Sequence, residues 1–175
     1  MSELMEAITI DTAANVQTSI IWLHGLGADG NDFVPIAEEL GLDKTLGVRF
    51  VFPHAPRRPI TINNGMVMRG WYDIDNPDLG RYQDLAGIKE SAERINGLVD
   101  KELSQNRSVV LAGFSQGGVI ALQTGLHYGK TLKGILVLSS YLARQESGNF
   151  GHPANRNTPI MLMHGVYDPV VPLAL

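Results

Sequence analysis

The stretch Val109-Val110-Leu111-Ala112-Gly113-Phe114-Ser115-Gln116-Gly117-Gly118 constrains this chain more than any other. An unbroken apolar run of strand character meets Gly-x-Ser-x-Gly, and a helix-like segment follows at once. In that setting the serine sits on a sharp strand-to-helix turn, crowded enough to need glycine on both sides. The turn pushes the hydroxyl out beyond the sheet, and the helix N-terminus behind it aims unpaired N–H groups at any developing negative charge. An ordinary glycine-rich connection would use the same letters. The flanking strand and helix favour the sharper reading, a nucleophile elbow centred on Ser115.

The rest of the chain alternates strands and helices. Ala7 to Ile10 reads as a short edge strand, and Thr18 to His24 as an apolar run ended by Gly25-Leu26-Gly27. Runs without polar alternation belong to strands covered on both faces, as in a parallel sheet. Phe33 to Leu40 reads as a short helix stopped by Gly41, Val48 to Phe52 as a strand, and Pro53 to Asn64 as an irregular loop. Trp71 to Asp75 is a possible extended piece. Asp84 can cap the next helix, where Leu85, Ile88, Ala92, Ile95, Val99 and Leu103 form one stripe and Glu90 pairs with Arg94 on the wet side. Gln116 to Tyr128 continues as a helix with Gly129 at its end, and its small residues Gly118, Ala121 and Gly125 suit close packing on a sheet. Gly134 to Ser140 and Pro159 to His164 are further strands, with a polar loop from Gln145 to Asn157 between them. The expected fold is α/β, a mostly parallel sheet with helices on both faces, in a single domain over residues 1–175.

Composition narrows the partners. A net charge of −4 argues against a nucleic-acid surface. The absence of cysteine excludes disulfides, thiolate catalysis and cysteine metal sites, and fits a reducing compartment. The acidic start Met1-Ser2-Glu3 is unlike a signal peptide, and no apolar run reaches the ~20 residues that span a bilayer. The chain reads as a soluble, cytoplasmic protein without a metal site.

In parallel sheets ligands bind beyond the carboxyl ends of the strands. Ser115 is the serine in an elbow context, and a serine needs a base, itself oriented by an acid. In this architecture the acid follows the nucleophile in the chain, and Asp168 stands in the turn after the last strand. A turn residue before Pro169 is the plainer alternative for Asp168. None of His24, His54, His127, His152 and His164 stands where the base belongs, and none is assigned. Two N–H groups can make an oxyanion hole, that of Gln116 after the nucleophile and that of Leu26 in the early glycine loop.

His24-Gly25-Leu26-Gly27, Pro53-His54-Ala55-Pro56, Trp71-Tyr72-Asp73-Ile74, Gly113-Phe114-Ser115-Gln116-Gly117-Gly118 and His164-Gly165-x-x-Asp168-Pro169-Val170-Val171-Pro172 occur in this order. Together they resemble the phospholipase/carboxylesterase family, the small carboxylesterases and acyl-protein thioesterases of the α/β-hydrolase fold. The resemblance implies Ser115 as nucleophile, Asp168 as acid, and Leu26 and Gln116 as oxyanion donors. It also implies cofactor-free hydrolysis of carboxylic or thio esters, with the loop from Arg57 to Trp71, Met68 and Trp71 included, along the acyl side of the cleft. Family members continue past the Asp loop to a histidine, whereas this sequence ends at Leu175. The expectation is therefore a chain truncated before its base, inactive as it stands, with an exposed apolar strand edge open to self-association. A non-catalytic ligand-binding protein on the same scaffold is the alternative.

Overall fold

Alternation along the strands sorts the apolar residues onto two faces of one sheet. The computed structural model describes residues 5–42, 44–144 and 151–175. Its elements are β1 (Ala7–Asp11), β2 (Thr18–Leu23), α1 (Ile36–Glu39), β3 (Val48–Pro53), β4 (Arg57–Ile60), β5 (Met66–Arg69), α2 (Leu85–Ser104), β6 (Ser108–Phe114), α3 (Gln116–His127), β7 (Gly134–Leu138) and β8 (Ile160–Met163). Among the described residues, six strands form one sheet in the order β1-β3-β2-β6-β7-β8. All neighbours pair in parallel except β1, which runs antiparallel to β3 at the edge. Ile21, Leu23, Val51, Leu111, Ile135 and Val137 face α2 and α3. Trp22, Phe50, Phe52 and Ala112 face the other way, against Ala37 and Phe33. With both faces covered, inner strands gain from apolar residues at every position, which is why they read as continuous runs.

Helix α2 begins as its sequence indicates. Asp84 Oδ1 accepts the Gly87 N–H at 2.9 Å, a cap worth about 1 kcal/mol. Ile88, Ala92, Ile95 and Val99 are buried and Leu103 is partly so, but Leu85 in the first turn is exposed. Glu90 and Arg94 pair at 2.9 Å on the solvent side. In α3 the small residues meet their neighbours as expected: a side chain at Gly125 would collide with Ile135. The end of α3 differs from expectation. Tyr128 leaves the helix in an extended conformation (φ −67°, ψ 137°), and Gly129 is not left-handed. The Tyr128 hydroxyl donates to Asp100 at 2.7 Å, so a tertiary contact draws the chain out of the helix.

Three further readings are corrected. The helix expected over Phe33 to Leu40 shrinks to Ile36–Glu39, preceded by turns, because Pro35 supplies no N–H and sits at its start. The expected loop from Pro53 to Asn64 instead contributes β4 to a two-stranded hairpin with β5, in register from Arg57↔Arg69 to Ile60↔Met66. Its turn carries Asn64 and Gly65 at φ 55° and 73°, the left-handed pair that an Asn-Gly dipeptide favours. Trp71 to Asp75 forms no strand. Of the polar loop expected over Gln145 to Asn157, residues 145–150 lie outside the described residues, and Pro153–Asn155 is a single 3-10 turn.

β8 pairs with β7 alone among the described strands, and Ile160, Met161, Leu162 and Met163 are all exposed. Among the described residues no helix is long and apolar enough to cross a membrane.

Candidate active site

Four strand ends lie side by side, and the polar residues gather there. Leu23 of β2 is in register with Gly113 of β6, and Phe114 with Leu138 of β7, which in turn pairs with Met163 of β8. The residues after them, His24 to Gly27, Ser115, Ser139 to Ser140, and His164 to Asp168, therefore share one edge of the sheet.

Ser115 takes φ 51° and ψ −120°, in a region that costs a non-glycine residue about 1–3 kcal/mol. Its surroundings hold it there. The Ser115 N–H donates to Leu138 O at 2.9 Å, and its carbonyl accepts from Gly118 N at 2.9 Å and from Ser140 Oγ at 2.7 Å. The flanking glycines are required by contact with backbone. A Cβ on Gly113 would lie 2.3 Å from Gly117 O, and one on Gly117 would lie 2.4 Å from Leu23 O. Ser115 Oγ makes no capping bond to its own helix, which leaves the hydroxyl available.

The glycine loop after β2 lies against this serine: a Cβ on Gly25 would be 3.7 Å from Ser115 Cβ. His24 directs that loop. Its Nε2 accepts the Ala55 N–H at 3.0 Å, so Nδ1 carries the proton and donates to Gly25 O at 2.7 Å. A peptide's carbonyl and N–H point in opposite directions. Anchoring Gly25 O on the imidazole therefore turns the Leu26 N–H the other way, and neither it nor the Gln116 N–H has a partner among the described residues. Burial pushes the His24 pKa below the ordinary 6.5, with the Gly25 carbonyl opposing. Below pH 6.5 the unfolded chain takes up a proton at this residue before the folded one does. The stability that neutral His24 contributes is thus complete above that pH and lost as pH falls. Thermal melts between about pH 7.5 and about pH 5.5 are expected to show a declining Tm, and His24→Gln a flatter slope. Equal slopes in the two proteins would refute the buried neutral state.

A second network joins this loop to the helix. Gln116 is buried, and its side chain accepts from Trp71 N at 2.7 Å and donates to Tyr72 O at 2.7 Å. The Trp71 indole donates to His24 O at 2.8 Å, and its ring is fully buried. Trp71 thus braces the loop after β2 from behind. Met68, on β5, is partly buried with its sulfur 3.6 Å from where a Cβ on Gly27 would lie. Nothing in the local sequence signals these contacts, since their partners are 44 to 47 residues apart.

Asp168 follows β8. Its Oδ1 accepts the N–H groups of Val170 and Val171, both at 2.9 Å, which lower its pKa, with smaller contributions from His164 and the Ser139 hydroxyl. Oδ1 thus builds the turn around Pro169, while Oδ2 lies 3.9 Å from His164 Nε2. The histidines bond elsewhere: His54 Nδ1 accepts from Gly30 N, His127 Nδ1 faces Gln123 O, His152 Nδ1 accepts from Ala154 N, and His164 Nε2 contacts Val171 O at 2.7 Å. None of these bonds involves Ser115. Among the described residues no group of three or more His, Asp or Glu side chains could hold a metal ion.

Known proteins match this chain along nearly its whole length. The family model described as Phospholipase/Carboxylesterase matches residues 5–175. Acyl-protein thioesterase 1 of Gibberella zeae is 37% identical over 177 residues, covering 94% of this chain and 75% of that protein. The crystal structure of Arabidopsis thaliana SOBER1 superposes with a TM-score of 0.84 at 34% identity, over 90% of this chain and 78% of the other. Zea mays acyl-protein thioesterase 2 shares the fold with a TM-score of 0.77 at 23% identity, over 97% and 80% of the two chains.

Proposed function

This chain belongs to the phospholipase/carboxylesterase family, and from that premise we propose that it hydrolyses carboxylic esters and thioesters through an acyl intermediate on Ser115. The observation that carries the proposal is the strained Ser115 at the start of α3, beside two unpaired amides. In this reading Ser115 sits on a nucleophile elbow and its Oγ attacks the acyl carbon, its proton passing to a general base, a role that none of the described histidines, each bonded elsewhere, fills in this structure. The carbonyl oxygen becomes an oxyanion held by the Leu26 and Gln116 N–H groups. Collapse of that intermediate expels the alcohol or thiol, which takes the proton back, and water then releases the acid by the same steps in reverse. No cofactor takes part.

In this reading Asp168 is the acid that would orient an imidazole base. It follows β8, which lies two strand spacings, roughly 10 Å, from the strand that carries Ser115 at its end. Met68 lines the acyl side of the cleft. Trp71 supports that wall from within, its buried indole serving His24 and its backbone N–H Gln116, rather than facing the substrate. The acidic, cysteine-free composition favours the cytoplasm, and the exposed edge of β8 is the surface on which copies would associate.

The proposal is tested by incubating the protein with p-nitrophenyl butyrate and with a butyryl thioester, and trapping the acyl group for peptide mapping. An acyl group on the peptide containing Ser115 is the expected result. Retention of the ester without acylation would instead mark a non-catalytic binding protein.

A further inference from the structure

The carbonyl of Ser115 belongs to the same peptide unit as the N–H of Gln116. We propose that Ser140, through its hydrogen bond to that carbonyl, is a positioning residue for the Gln116 oxyanion donor. The inference rests on the hydrolase reading above and adds to it a residue outside every motif.

Ser140 Oγ donates to Ser115 O at 2.7 Å. In a planar trans peptide the N–H of Gln116 points away from that carbonyl. A donor fixed on the oxygen therefore sets the direction of the N–H at the other end and polarises it, as in any chain of linked hydrogen bonds. The backbone bonds from Gly118 and Val119 also reach this oxygen, but they belong to the first turn of α3 and move with it. Ser140 reaches it from the turn after β7, outside that helix.

Its own placement is constrained. Ser139 takes φ 44°, a left-handed turn that ends β7, and its N–H donates to Met163 O at 2.8 Å. That turn brings Ser140 back over the end of β6, where its Cβ and Oγ lie 2.6 Å from the position a Cβ on Gly118 would occupy. The end of β7 thus grips both backbone groups of the nucleophile: Leu138 O takes the Ser115 N–H and Ser140 Oγ the Ser115 carbonyl.

The arrangement repeats at the other donor. His24 Nδ1 holds Gly25 O at 2.7 Å, and Gly25 O shares a peptide with the Leu26 N–H. Both proposed oxyanion amides are therefore aimed by a side chain bonded to the far end of their own peptide. His24 lies within a recognisable motif, whereas Ser140 does not.

The test uses Ser140→Ala and Ser140→Gly in the isotopically labelled chain, with Ser115→Ala alongside. In both Ser140 variants the Gln116 amide proton is expected to move upfield while that of Leu26 stays in place. Their kcat is expected to fall about three- to tenfold at unchanged KM, less than the ~10²–10³ lost with a whole oxyanion donor. An unmoved Gln116 amide overturns the inference, whatever the rate. So does a raised KM at parent kcat, or a moved amide with parent kcat. If Ser115→Ala also leaves hydrolysis intact, the hydrolase reading falls and takes this inference with it. Hydrolysis that depends on Ser115 but is indifferent to Ser140 overturns the inference alone.

Discussion

Replacing Ser115 by alanine is expected to abolish acylation by p-nitrophenyl butyrate and the hydrolysis that depends on it, a loss of up to ~10⁶-fold in kcat where a base serves the serine. The reason is that the alanine side chain can form no acyl intermediate, so only binding and the oxyanion amides remain. In subtilisin, loss of the serine or the histidine costs about 10⁶ in kcat, and binding with the oxyanion hole retains ~10³–10⁴ over water. Relief of strain is not expected to accompany the substitution. The conformation at φ 51° and ψ −120° is imposed by bonds to Leu138, Gly118 and Ser140, and alanine must adopt it as well. The Tm should therefore stay near that of the parent while activity disappears. A parent-like rate in Ser115→Ala, measured with p-nitrophenyl butyrate, would place the chemistry elsewhere.

The second large effect is on stability. In Gly117→Ala the new methyl would lie 2.4 Å from Leu23 O and 2.6 Å from His24 O. Both are backbone atoms at the end of a central strand, and neither can swing aside as a flexible side chain would. Overpacking of a core commonly costs 1–3 kcal/mol, and this contact belongs at the upper end or beyond, about 3 kcal/mol. For a chain of this size that lowers Tm by roughly 6–12 °C. Relief requires α3 to move away from the loop after β2, which separates the Gln116 and Leu26 amides. Activity per folded molecule should fall with stability. Gly129→Ala is the control, because a Cβ there meets nothing within 4 Å. Differential scanning fluorimetry on the two variants decides the point: equal melting temperatures would mean the close approach at Gly117 is not real.

Much of the fold was legible because its signals are local. The continuous apolar runs at Thr18–Leu23, Ser108–Phe114 and Gly134–Leu138 announce strands covered on both faces, and the stripe behind Asp84 announces α2. The strand Arg57–Ile60 is hidden in the sequence because Pro53, Pro56 and Pro59 fall in and before it and Asn63-Asn64-Gly65 follows, so the whole stretch Pro53 to Asn64 reads as a loop. Its Asn64-Gly65 turn was in plain view. Leu85 fits the stripe by spacing alone but stands in the first turn of α2, before the helix reaches the sheet, and so stays exposed. Gly129 looked like a helix terminator, yet the Tyr128–Asp100 bond ends α3 one residue earlier without a left-handed turn.

What the sequence by itself determined is the strand-to-helix turn: Gly113-Phe114-Ser115-Gln116-Gly117 between a strand and a helix admits few backbone paths, so the placement of Ser115 and the class of fold follow from local sterics. Only the tertiary structure decided how that serine is served. His24 turning the Leu26 amide, Gln116 tied to Trp71 and Tyr72, and Ser140 holding the Ser115 carbonyl are side-chain bonds to backbone groups, and apart from the one between His24 and Gly25 they join segments far apart in the chain. Such bonds leave no periodicity and no spacing behind. They exist because a parallel sheet sets its strand ends side by side, and proximity in space is the one thing a linear order of residues does not record.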